Sequence, residues 1–325
     1  MREKIERPGI SSSWEKYWVR ASKGLAEAVV AHDPKRIQDL ECYVADGVIP
    51  IPLEFAIPDQ PVNPPRLSWQ TTDLASRLSG YAMARQFEFE ISWINGEKNS
   101  DLASCGFAAA YLSQMIQLDN ERLFPLRFDG RRLKALSLRS IPYVALGVVL
   151  GCEPQARILA QGQLGAYRSG YFRDAAYYPI FIFILRLLAD FLEGADIDVD
   201  GEASKEPVLL NLFKAWRAVD AEEIAPLCLA ALDLHTHRCK QGNAKSFYEF
   251  EQGDWIRIPI EIWLLFRLRD LISLKNPSLD HPLMAGGRIP DAESIFKADP
   301  LISAVYARMK RDGFDEGLIA SGFCS

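Results

Sequence analysis

The chain has 325 residues, of which 49% are hydrophobic and 25% charged, and its formal net charge is −6. That length supports one large domain or two smaller ones with a sizeable core, and the acidic balance predicts no basic face for nucleic acid. The longest apolar runs, 177–185 and 141–150, fall short of the roughly 18–20 residues that span a bilayer, so no membrane insertion is expected.

The opening MREKIERPGISSSWEK lacks the apolar h-region of a secretory leader. Cys42, Cys105, Cys152, Cys228, Cys239 and Cys324 are scattered, with no CxxC pair. Reduced, buried thiols in a cytoplasmic protein are the expectation.

Taken in chain order, helical periodicity dominates. Ser11 to Ser13 can cap a helix carrying Trp14, Tyr17, Trp18, Leu25 and Val29. Asp33-Pro34 reads as an N-cap followed by Pro at the first helical position, opening a second helix to about Asp46. Residues 47–68 hold six of the nineteen prolines. Proline removes an N–H and fixes φ, so this stretch is predicted to be an extended connector. Helices are predicted at about 69–94 and 98–120. Asp129-Gly130 then turns the chain into a helix at 131–151 that can kink at Pro142. Further helices are expected at 153–170, 175–194, 205–218, 221–241, 257–274 and 298–312.

No hairpin or βαβ signal is present. The predicted fold is therefore all-α, with stacked antiparallel helix pairs in one domain over 1–325, open to division into 1–130 and 131–325. An echo supports stacking. Pro179 opens an apolar helix with Asp190 eleven residues on, and Pro259 opens another with Asp270 eleven residues on.

The apolar residues from Ile260 to Ile272 run nearly all the way round the helix, which predicts a central position. Arg267 and Asp270, three apart, can pair. Arg269 faces elsewhere and must find an acid or snorkel to water. Beyond the helix, Asp280 is expected to bond backbone N–H groups of a turn, with His281 stabilising it and Pro282 barring further helix.

Several motifs invite chemistry. LHTHRCK places His235, His237 and Cys239 at i, i+2 and i+4. Only His235 and Cys239 converge on a helix, so a zinc site needs a third ligand from elsewhere. A metal-dependent hydrolase using His235, Cys239 and His281 is the enzymatic alternative. DIDVDGEASKE carries Asp196, Asp198, Asp200 and Glu202. It matches the first half of a calcium loop, but position 12 is Pro207 in place of the bidentate Glu. An acidic loop between helices, able to meet a basic partner, is the other reading. Glu88 and Glu90, two apart, diverge on a helix and read as exposed charge. Tyr167, Arg168, Tyr171 and Arg173 supply the residue types favoured at binding hot spots. No Walker A loop, GxGxxG, GxSxG or HExxH occurs. No catalytic residue, cofactor or metal is assigned.

The LDLHTHRC helix, the Trp255…Pro259-x-Glu261 entry, the run LLFRLRDL and the closing DHPLM together resemble the all-helical immunity proteins of bacterial polymorphic-toxin systems. The likeness covers about 221–284 and is nearest to the immunity family numbered forty-nine. The resemblance implies a cytoplasmic antitoxin that binds and blocks a cognate protein toxin. It transfers no catalytic or contact residues. A generic helical scaffold is the third reading.

Overall fold

Helix α1 runs unbroken from Trp14 to Asp46, where two helices were expected to meet at Asp33-Pro34. Pro34 lies on the exposed face, where the carbonyl it leaves unbonded can be hydrated. Asp33 is buried and paired with Arg85 and Arg36, so it serves tertiary packing in place of capping a new helix. The helix stops at Gly47, whose φ of 76° is the left-handed conformation that glycine adopts without strain. The computed structural model describes residues 7–49, 67–97, 99–127, 130, 136–172, 177–198, 205–243, 246–287, 289, 291, 296 and 299–323. Most of the proline-rich stretch therefore lies outside the described residues.

Helix α2 (Thr72–Ile94) is capped by Thr71, whose side chain accepts the N–H of Leu74. It forms a hairpin with α3 (Ser100–Arg127). Ser113 Oγ donates to the carbonyl of Ala75 at 2.7 Å, while Gly106 lies against the backbone of Ala82 and Gln86. The later residue of one helix thus meets the earlier of the other, which makes the pair antiparallel.

The helix expected at 131–151 begins only at Ile141. A 3-10 turn at Leu138–Ser140 precedes α4 (Ile141–Val149). Residues 131–135 lie outside the described part. Pro142 sits in the first turn of α4, where its missing N–H costs nothing, so it starts the helix and does not kink it. Every residue of α4 is buried. Gly147 brings it close to α3, because a side chain there would run into the ring of Phe107.

Five helices follow as the periodicity predicted, with shifted ends: α5 (Glu153–Arg168), α6 (Pro179–Glu193), α7 (Pro207–Ala215), α8 (Ala221–Arg238) and α9 (Ile260–Leu271). Then come α10 (Pro300–Arg311) and a short α11 (Glu316–Ser321) that the sequence reading did not assign. Eleven α-helices and no strand are found among the described residues, with two isolated bridges only. The fold is all-α.

Helix α4 is the hub, packed by α3, α5, α6 and α9. The two echoing helices, α6 and α9, lie against each other, with Pro179 in the first turn of one and Pro259 as the N-cap of the other. Helix α10 packs on α1 and α3, and α11 on α3 and α5. Among the described residues no helix is long and apolar enough to cross a membrane.

Candidate functional site

The chemistry-bearing residues of α8 and α9 are spent on internal bonds. His235, fully buried, has Nδ1 2.8 Å from Glu261 Oε1 and Nε2 3.0 Å from the carbonyl of Trp255. A carbonyl only accepts, so Nε2 is the donor to Trp255. Cys239 Sγ bonds the carbonyl of His235 at 3.2 Å, and burial raises its thiol well above the ordinary range. Burial also pushes Cys105, Cys152 and Cys228 up to about 12. Such thiols stay protonated and unreactive.

His281 accepts the N–H of Leu283 through Nδ1, while its Nε2 lies 3.4 Å from Asp233 Oδ1. The turn beyond α9 is thus capped by His281. Asp280, expected to do this, is exposed. Asp233 is fully buried and also holds the N-terminal segment, taking bonds from Arg7 at 2.8 and 3.0 Å and from the N–H of Gly9 at 3.2 Å. Among the described residues no three His, Cys, Asp or Glu side chains are grouped to hold a metal. His235, Cys239 and His281 are not brought together as a ligand set.

The other expected sites are placed as follows. Tyr167 packs its ring on Phe172, and Tyr171 sets its ring edge-on to Phe323. Arg168 pairs with Glu193 on the surface. Asp196 is held by Arg186 and accepts the N–H of Ile197, leaving it ill placed as a calcium ligand. Asp198 is exposed. Arg173, Asp200 and Glu202 lie outside the described residues. Arg267 pairs with Asp291, and Asp270 accepts from Asn276 at 2.7 Å. Arg269 neither meets an acid nor reaches water. It is fully buried, and its guanidinium donates to the carbonyls of Trp216, Ala218 and Lys275. Trp216 is the C-cap of α7 and Ala218 follows two residues on, beside a helix end where unpaired carbonyls gather and a cation is favoured. Glu90, expected on the surface, is fully buried and accepts the N–H groups of Trp255 and Arg257.

Among the described residues two concavities have room for a ligand. The larger is an apolar groove of about 680 Å³ between α1, α2 and the start of α3. Ala26, Val29, Val30, Phe87, Ile91 and Leu102 give it its apolar surface, and Glu88 and Glu97 are the acids on its wall. Val30 is 78% exposed at its lip.

The smaller is a polar cavity of about 180 Å³ among α2, α3, the 3-10 turn, α4, α6 and the segment 249–255. Four serines line it (Ser79, Ser113, Ser137 and Ser140), with Gln114, Gln117 and Gln252. Tyr143, Phe181 and Trp255 supply its rings, and Arg139, Glu249 and Asp254 its charges. The wall at Trp255 is held under tension. Its φ of 63° is left-handed, which for a bulky residue costs on the order of 1–3 kcal/mol. Four helices fix it there: Glu90 of α2 takes two N–H groups, His235 of α8 bonds the Trp255 carbonyl, Trp14 of α1 donates to the Ile256 carbonyl at 3.1 Å, and Tyr143 of α4 meets the ring edge-on. Nothing in a Gly-Asp-Trp triplet marks such a wall in sequence. It exists because residues from four distant segments converge on it. Comparison of the chain with protein-family models, with curated proteins and with solved structures finds no match in any of the three.

Proposed function

We propose that this protein works by binding another protein: a cytoplasmic immunity protein that neutralises a cognate toxin by seating a basic, amphipathic segment of it and occluding the toxin's active face. The observation that carries the reading is the apolar groove of α1, α2 and α3. It exposes aliphatic side chains on a surface where water is a poor partner. An amphipathic helix laid into such a groove buries its apolar stripe there. On the wall, Glu97 and Glu88, the latter shared with Arg85, outweigh Lys23, and with the chain's net charge of −6 they favour a basic partner and speed its approach. The internal use of His235 and Cys239 also supports a binding role, because their polar atoms are already committed to the fold.

The test is co-expression with the protein encoded by the neighbouring gene. Growth arrest by that protein, relieved by this chain, is the expected result. Ala26→Arg and Val30→Lys alter exposed groove positions that the core does not use. Each should weaken the complex at least about tenfold, the factor for about 1.4 kcal/mol, and reduce protection. A neighbour that is harmless, or one that binds both variants as tightly as the natural chain, overturns the reading.

A further inference from the structure

We propose that the polar cavity beside Trp255 is a binding site for a small organic ammonium ion, with Asp254 as its counter-charge. The inference is independent of the groove and of any toxin.

Charge accounting carries it. Arg139 is neutralised by Glu251 and hydrogen-bonds Tyr178 at 2.8 Å. Glu249 is neutralised by Arg238 and accepts the N–H of Ile180 at 2.9 Å. The polar lining is likewise engaged: Gln117 donates to Ser113, Gln114 to the Ser140 carbonyl, and Ser140 to the Ser137 carbonyl. Asp254 is different. Half-buried, it lines the cavity, and its carboxyl is stabilised by its own backbone N–H and, at a distance, by Arg139. Among the described residues Asp254 has no ion-pair partner, so one negative charge stands alone in a partly desolvated chamber, and a cation is the ligand that answers it.

The walls narrow the class. A metal ion of the calcium type asks for six or more oxygen ligands, and magnesium for octahedral order; one carboxylate does not provide either. An organic ammonium ion is satisfied by one carboxylate, by hydroxyl and amide oxygens, and by aromatic neighbours, of which Tyr143, Trp255 and Phe181 line the cavity. The volume equals about six waters at liquid density, the size of a short amine. Ser79 and Gln252 are exposed and form the mouth.

The site has a built-in pH dependence. The titratable and charged groups around Asp254 are Glu90 of α2, Arg139 of the 3-10 turn, Tyr143 of α4, Tyr17 of α1, and Glu249 and Glu251 of its own segment. Burial pushes the Asp254 carboxyl up to about 6. Acidification below that value removes the counter-charge and releases the cation.

Isothermal titration calorimetry on the full chain tests this with butylammonium and choline, each paired with a neutral probe, 1-butanol or glycerol. The expected result at pH 7.5 is binding of at least one cation and of neither neutral probe. Binding should weaken about tenfold or more at pH 5 and in Asp254→Asn. Ser79→Trp, which blocks the mouth without touching Asp254, should abolish it with an unchanged melting curve, and decides the matter if Asp254→Asn fails to fold. No heat with either cation, equal affinity in the folded Asp254→Asn or Ser79→Trp protein, or equal binding of the neutral probes overturns the proposal.

Discussion

His235 Nδ1 lies 2.8 Å from Glu261 Oε1 with both side chains fully buried, and this bond ties α8 to α9 in the interior of the molecule. The ring also stacks on Phe250, with centroids 4.2 Å apart. A buried pair of this kind is costly to break, because the surviving partner keeps its desolvation without its bond.

His235→Ala should therefore destabilise the fold by about 3–5 kcal/mol. Glu261→Gln should cost less, because the amide NH2 can donate to Nδ1 of a neutral ring whose Nε2 still donates to the Trp255 carbonyl. Urea unfolding of the two single variants and the double variant measures the coupling between them. Coupling above about 1 kcal/mol is expected for a bonded pair. Simple additivity would show that the two residues act separately.

Arg269 makes a second prediction. Replacing it with Met keeps the aliphatic stem but orphans the carbonyls of Trp216, Ala218 and Lys275. Each orphaned buried acceptor costs about 1–3 kcal/mol, so the variant should be among the least stable single substitutions in the chain. Arg269→Lys should recover only part of the loss, because a single ammonium cannot fork between acceptors set by a planar guanidinium. Hydrogen exchange in α7 should quicken in both variants, and more in the Met variant. Unchanged protection there would refute the role given to Arg269.

The third prediction concerns pH. Burial pushes the Glu90 carboxyl from its ordinary 4.5 up to about 8, opposed by the Arg257 and Trp255 N–H groups that favour its charged form. Between pH 6.5 and 8 the folded chain keeps the Glu90 proton and the unfolded chain has lost it. Stability must then fall as pH rises through this window. Glu249, also raised by burial, acts in the same direction. Asp254, raised to about 6, acts lower. His281 is lowered from 6.5 by burial, so its contribution is lost on acidification below 6.5 and does not enter the window. Denaturant midpoints at pH 6.5 and 8 should differ in the natural chain. In Glu90→Gln the difference should shrink, although that protein is less stable throughout, because one backbone N–H then faces an amide N–H. An equal slope in both proteins would contradict the assignment.

Helix existence was legible because it depends on spacing. Apolar residues recurring every three or four positions bury one face wherever the helix is placed, and the encircling run Ile260–Leu268 announced its own central burial. Helix ends were less legible where tertiary bonds decide them. Asp33-Pro34 carries an N-terminal signal, yet Asp33 is spent on Arg85 and Arg36, and α1 continues through it. Asp280 stays exposed, while His281, buried beside Asp233, accepts the Leu283 N–H of the turn.

The sequence by itself determined an all-helical chain with α9 inside it, because a helix needs only its own neighbours in sequence to define which face is apolar. Tertiary structure alone decided which polar groups meet. Arg7 reaches Asp233 across 226 positions, the Trp255 N–H donates to Glu90 across 165, and Asp254 is left lining a cavity by a segment that four helices hold in place. Those pairings follow the course of the whole chain and the low dielectric it encloses, in which every buried charge must find a partner or want one.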